Sequence, residues 1–397
     1  MQYLLIRNAR LADHEPDAPL VTILVADGRI VGIGKDLRHQ ITDTTNIDAQ
    51  GAYVIPALIN LNSPRPNAID DDMINGLNFD MITSGVLTIM TVSDDIEDNI
   101  VEMENMHVPV LNYAMHFPLN QVVQGDARRL RRIMLLNGVA TAIARIGDDR
   151  HFSIQSLAPH LVAARQLGLR VLFDIRAQFD ASERWNVLTA LVTELQKDIT
   201  NKAYIIGVET EDELELVQQL RGHCDIACHV CYDPFLPLVN KESNNHLRAN
   251  TLANVLRHGR WCTYGLTYSA SRAIKEQWPD VTPAIVGRNR MSILNALPCS
   301  EPLSVKELVE FTVTRPAQLL GLDPSIGNVR EGTLANFMLW RNETTDNTSI
   351  ETPYNGAFSH LALKGKVEHV IMNGRIVMDE KLRDNEICGR HIYARLV

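Results

Sequence analysis

Three thiols and an imidazole fall within eight residues, at Cys224, Cys228, His229 and Cys231. In type these are Zn²⁺ ligands. Their spacing argues against one shared ion. The segment reads as a buried strand, where neighbouring side chains point to opposite faces, so Cys228 and Cys231 point apart. Free cysteine is common in cores, and packing is the expected role. Other chemistry-bearing groups stand singly near the ends of apolar runs or in the loops beyond them: Asp94, Arg145, Asp174, Glu209, His229 and Arg248. Asp174 or Glu209 could act as a general base without a metal. Mutual pairing is the expected role instead, because a buried unpaired charge is destabilising. Arg145 with Asp174 is the first expected pair. A lone histidine such as His229 is more often a hydrogen-bonded structural group than a ligand. Gly32 and Gly34 follow a hairpin rather than open a helix, so they are no dinucleotide fingerprint.

These groups need elements to position them. Strand signals open the chain at Tyr3–Ile6, Thr22–Val25 and Ile30–Gly34, with an Asp27-Gly28 hairpin turn between the last two. A matching set closes it: Phe337–Trp340, His360–Leu363 and Val367–Met372, then an Asn373-Gly374 turn and Arg375–Met378. The two ends are expected to pair into one small β-sandwich. Between them apolar runs alternate with helical patterns. Expected strands are Val86–Met90, Pro109–Tyr113, Ala140–Ile146, Arg170–Asp174, Ala203–Val208, Asp225–Val230 and Trp261–Tyr264. Expected helices include Ser156–Leu167, Arg184–Thr200, Glu211–Leu220, Leu252–His258 and Val305–Thr314. Strand followed by helix, repeated about eight times, predicts an α/β fold with a parallel (β/α)8 TIM-type barrel. The expected division is residues 1–55 with 326–397 as the sandwich and 56–325 as the barrel.

Residues 54–66 read Val-Ile-Pro-Ala-Leu-Ile-Asn-Leu-Asn-Ser-Pro-Arg-Pro. They resemble the first barrel strand of the dihydroorotase branch of the amidohydrolase superfamily, Pro-Gly-Leu-Ile-Asp-x-His-x-His. Further resemblances follow in order along the chain: Ser84–Thr88, Thr314–Leu322, Gly327–Asn336 and the closing Lys364–Val377 hairpin. The resemblance implies a barrel inserted into a β-sandwich and a metal site at the C-terminal barrel face. Its ligands would be two His of the first strand, a carboxylated Lys, two later His and an Asp. Each of those positions carries something else here. The two His fall on Asn62 and Pro64, the Lys on Ile143, the later His on Phe173 and Gly207, and the Asp on Gly265. No Lys occurs between Lys35 and Lys197, and Arg145, the cation of that strand, does not form a carbamate. An amide is a poor Zn²⁺ ligand, and proline, glycine and hydrocarbon side chains offer no ligand atom. The substrate-carboxylate Arg of the family falls at Pro66, beside Arg65, and its Asn at Asp94.

The chain has 397 residues, 45% of them apolar, and a formal net charge of −10. That charge disfavours a nucleic-acid partner. The basic run Arg128-Arg129-Leu130-Arg131-Arg132 is an exception; it reads as a solvated helix face, with an acidic partner surface as the sharper alternative. No apolar run is long enough to span a membrane. Six cysteines without a secretory signal predict reduced thiols and a cytoplasmic protein.

From the resemblance, the expected protein is a pseudo-enzyme: a non-catalytic dihydroorotase-like subunit that needs no cofactor and assembles with the aspartate carbamoyltransferase catalytic chain in pyrimidine biosynthesis, with no nucleic-acid or membrane partner. The hetero-oligomer expected is of the dodecameric type that some bacteria build with an inactive homologue. Asp94, Arg145, Asp174, Glu209, His229 and Arg248 are expected to line the vestigial pocket. Two alternatives stand beside this one: a metal-independent hydrolase or small-ligand binder, and a self-assembling scaffold like the dihydropyrimidinase-related proteins.

Overall fold

A computed structural model describes residues 3–15, 17–35, 37, 44–63, 79–92, 110–124, 126–146, 156–176, 181–231, 247–265, 290–322, 324–342, 365–379, 381–383 and 388–396. Two eight-stranded sheets organise it. The first joins both ends of the chain. Strands β1 (Tyr3–Leu11), β2 (Val21–Ala26), β3 (Arg29–Gly34), β4 (Thr44–Asp48) and β5 (Tyr53–Pro56) come from the N-terminal side. Strands β14 (Phe337–Arg341), β15 (Lys366–Met372) and β16 (Arg375–Met378) come from the C-terminal side. Their order is β16-β15-β14-β5-β1-β2-β3, with β4 beside β1. The seam is antiparallel, with Ile55 opposite Met338 and Val54 opposite Leu339. The end-to-end sandwich expected from the sequence is therefore present. Both hairpin turns take two positive φ angles, 47° and 81° at Asp27-Gly28 and 47° and 84° at Asn373-Gly374. That pattern matches the twist of the flanking strands. His360–Leu363 lies outside the described residues.

The second sheet is the barrel wall. Strands β6 (Leu58–Ser63), β7 (Val86–Val92), β8 (Asn112–Pro118), β9 (Thr141–Arg145), β10 (Arg170–Asp174), β11 (Lys202–Val208), β12 (Asp225–Cys231) and β13 (Cys262–Gly265) pair in chain order. Every pairing is parallel. Among the intervening helices are α1 (Ala127–Asn137), α2 (Leu157–Leu167), α3 (Ala181–Leu195), α4 (Glu211–Leu220) and α5 (Ala249–His258), followed by α6 (Arg290–Asn295). Strands β8 and β10 are buried at every residue. A wall covered on both faces needs apolar residues throughout and shows no alternation.

Three expected elements differ. The helix expected at Arg184–Thr200 runs over Ala181–Leu195. The strand expected at Pro109–Tyr113 runs instead over Asn112–Pro118. The helix expected at Val305–Thr314 is a short α-turn, Val305–Val309, then a π-turn, Glu310–Thr314, then Arg315–Leu319. Pro316 accounts for the break: it has no N–H to give Thr312 and its ring crowds that carbonyl, so the preceding turn widens.

Candidate functional site at the barrel mouth

Parallel strands bring their C-terminal ends to one face, where TIM-barrel sites are built. Arg145 and Asp174 are the last residues of β9 and β10, and Asn62 is next to last in β6. Asn62 reaches across the barrel from the first strand to the fourth and fifth. Its Nδ2 donates to Asp174 Oδ2 at 2.6 Å. Its Oδ1 accepts from Arg145 Nε at 3.2 Å and Nη2 at 2.7 Å. Arg145 and Asp174 are register partners, yet the expected direct pair does not form. Arg176 takes Asp174 instead, through Nε at 2.9 Å and Nη2 at 2.6 Å, and its backbone N–H adds a third bond at 3.1 Å. A two-residue spacing lets side chain and backbone grip one carboxylate together. Burial opposes charge on Asp174, but the Arg176 and Asn62 bonds outweigh it and hold the carboxyl below its ordinary range.

Two glycines define what occupies the rest of the mouth. Gly207 sits at a bulge in β11 with φ 104°, and a Cβ there would stand 2.5 Å from Arg176 Cγ. A Cβ on Gly265 would stand 2.5 Å from His229 Nε2 and 2.7 Å from its Cε1. These are the positions where the resemblance placed a His and the Asp. The spaces beside them are filled by a guanidinium stem and an imidazole.

His229 is held on its other side. Its Nδ1 lies 2.8 Å from Thr263 Oγ1, which also lies 2.7 Å from the Tyr204 hydroxyl and donates to Cys228 O at 3.2 Å. With its one proton given to Cys228, Thr263 accepts from the other two. His229 therefore carries its proton on Nδ1 and turns a bare Nε2 toward Gly265. Burial pushes the imidazole down to about 3, and Arg176 and Arg290 add to this. His116 in β8 is a second buried imidazole. Its Nε2 is 3.1 Å from Leu61 O and its Nδ1 2.6 Å from Thr141 Oγ1. Burial brings it to about 4.

The remaining expected residues scatter. Ile143 is buried between Thr141 and Arg145 on the inward face of β9. Phe173 is also buried, but alternation turns it away from the face that Asp174 presents. Asp174 is thus the inward residue at that strand end, one place beyond the expected position. Glu209 stands at the rim, 3.8 Å from Arg184 of α3, whose Nε also binds Glu213 at 2.5 Å. Arg248 does not join the site: it is exposed, and it forks onto Glu211 at 2.7 Å and 2.8 Å. Pro64 and Asp94 lie outside the described residues. Within the cysteine cluster, Cys228 Sγ lies 4.0 Å from Cys262 Sγ on one side of the sheet. Cys231 faces the charges of the mouth on the other. Burial raises the Cys228 and Cys231 thiols, which keeps both protonated. Arg176 and Arg290 were not expected from the sequence. Arg176 carried one signal, a second charge two residues after Asp174 at a strand end; Arg290 carried none.

A divalent metal does not fit the arrangement of the described residues. Ligands must be deprotonated thiolate, imidazole or carboxylate converging on one point. Here the one inward carboxylate, Asp174, is already taken up by Asn62 and Arg176, and an amide, guanidinium groups and one imidazole make up the rest. Among the described residues no three His, Cys, Asp or Glu side chains gather around one point.

The comparisons with known proteins agree with this fold. Residues 283–377 match the family described as Amidohydrolase family. A D-hydantoinase crystal structure matches 100% of this chain and 99% of its own at 17% identity, with TM-score 0.72. Dihydropyrimidinase from Brevibacillus agri NCHU1002 gives TM-score 0.69 at 18% identity, covering 99% and 100%. A β-aspartyl dipeptidase from Fervidobacterium islandicum AW-1 gives 0.54 at 12%, covering 96% and 98%. No curated protein matches the chain in sequence. The chain has a hydantoinase-like barrel-and-sandwich fold, and the part of it that matches the amidohydrolase family in sequence is residues 283–377. No described helix is long and apolar enough to cross a membrane.

Proposed function

We propose that this chain is a non-catalytic dihydroorotase-like subunit of a cytoplasmic hetero-oligomer, supporting the assembly and activity of aspartate carbamoyltransferase in pyrimidine biosynthesis. The observation that carries the non-catalytic part is the filling of the space beside Gly207 and Gly265 by Arg176 and His229. Hydrolysis in this superfamily's manner needs a metal to ionise water. In the mouth, Arg145 and Arg176 set guanidinium groups around Asn62 and Asp174, where a metal cation would have to bind. The fold persists because a packed barrel still offers surface for assembly.

The partner comes from the sequence resemblance. One surface supports it physically. On α1, Arg128, Arg129, Arg131 and Arg132 are exposed, next to Leu135 at 84% and Leu136 at 60% exposure. Charged and apolar groups on one exposed helix suit a partner contact better than bare solvent. Co-expression with the transferase chain tests the assignment. One co-eluting complex is expected, with transferase activity dependent on this chain. A transferase that assembles and turns over fully without it contradicts the assignment.

The likeness to a dihydropyrimidinase fold supports a second reading, a homo-oligomeric scaffold of the dihydropyrimidinase-related type. Sizing the purified chain alone separates the two, since a scaffold self-assembles without the transferase. A metal-independent hydrolase would need a base, and the best candidates are tied up: Asp174 by Arg176 and Glu209 beside Arg184.

A further inference from the structure

Arg290 opens α6 beside a cavity of ≈ 30 Å³ that Arg176, His229, Tyr264 and Gly265 also line. That volume holds two or three water-sized groups, at about 10–15 Å³ each. The Arg290 Nε is sealed from solvent and has no hydrogen-bond partner. No described carboxylate forms an ion pair with Arg290, and its near charged neighbour is another arginine, Arg176. Burial and that neighbour bring Arg290 down to about 10, so it stays charged near neutrality. Arg176 already has its counter-charge in Asp174. The cavity therefore holds one positive charge in excess among its described groups, and an uncompensated buried charge is strongly unfavourable. His229 lines the same cavity with its bare Nε2 turned toward Gly265, and that nitrogen accepts a proton donor and gives none.

We propose that this cavity binds hydrogen carbonate, a compact planar monoanion whose oxygens meet Arg290 and Arg176 and whose hydroxyl donates to His229 Nε2. Guanidinium forks suit planar oxyanions. The hydroxyl separates this ligand from formate, which has only acceptors, and from chloride, which has neither plane nor donor. The inference stands on the cavity alone and does not depend on the transferase being the partner.

Thermal unfolding of the full chain in sealed samples near pH 8 tests it, with sodium bicarbonate, formate and chloride at matched ionic strength. A ligand of the native state raises Tm saturably. The expected result is a saturable rise with bicarbonate at lower concentration than with formate, and none with chloride. Arg290→Met is expected to abolish the rise, and His229→Leu to remove the preference for bicarbonate over formate. Equal responses to bicarbonate and chloride, or an undiminished response in Arg290→Met, overturn the proposal. Should Arg290→Met not fold, ¹³C line broadening of labelled bicarbonate by the wild-type chain decides. Broadening reversed by unlabelled bicarbonate but not by chloride supports the site, and absence of broadening overturns it.

Discussion

Asn62 donates to Asp174 at 2.6 Å from the opposite wall of the barrel, so the first and fifth strands are tied through the volume where a hydrolase of this fold would work. The tie depends on Asp174 remaining charged, and Arg176 keeps it so. Asp174→Asn leaves the Arg176 guanidinium buried without its counter-ion. Removing one member of a buried pair typically costs about 3–5 kcal/mol, whereas replacing both by apolar groups is often near neutral. Urea unfolding is expected to show a loss of that size for Asp174→Asn. The double variant Asp174→Leu with Arg176→Met is expected to recover most of it.

Restoring a ligand residue singly is expected to harm the protein. Gly265→Asp drives a Cβ into His229, 2.5 Å from Nε2. Gly207→His meets Arg176 and also forces a β-substituted residue to φ 104°. Overpacking of this kind costs about 1–3 kcal/mol. Denaturation midpoints should fall for both variants, and neither should gain stoichiometric zinc. Stability unchanged in Gly265→Asp would show that His229 moves aside freely.

The buried histidines make the fold acid-labile. His116 and His391 are held at about 4 and His229 at about 3, in each case chiefly by burial. The unfolded chain takes up these protons near pH 6.5 and the folded chain does not. Below that pH the unfolded state binds more protons, so stability falls as pH falls, by up to about 1.4 kcal/mol per pH unit for each histidine. Above it the contribution is complete and flat. Urea midpoints from about pH 7.5 to about pH 4.5 are expected to fall steeply once below about 6.5. Replacing His116 by Asn should make that fall shallower.

Much of this was legible in the sequence, for reasons tied to particular residues. Arg170–Asp174 and Glu211–Leu220 match their expected bounds because strong signals bracket them. Gly168 ends the preceding helix with φ 74°, and Thr210 with Glu213 forms a capping box. The Asn112–Pro118 strand was displaced because a doubly buried strand has no period to fix its register. At the site, the expected charge pairing was right in kind and wrong in partner. Register placed Arg145 beside Asp174, but a side chain two residues along, with a backbone N–H to add, held the carboxylate better. Phe173 and Asp174 differ by one residue, and in a strand one residue decides which face a group meets. Arg290 was invisible because its importance lies in the lack of a described carboxylate beside it, and only packing shows that.

The central claim is that this barrel mouth does not hold a catalytic metal. Metal content of the chain, purified after expression in zinc-supplemented medium and assayed in parallel for dihydroorotase turnover, tests it most directly. The expected result is metal at background and no turnover. One tightly bound zinc per chain, accompanied by turnover, would contradict the account.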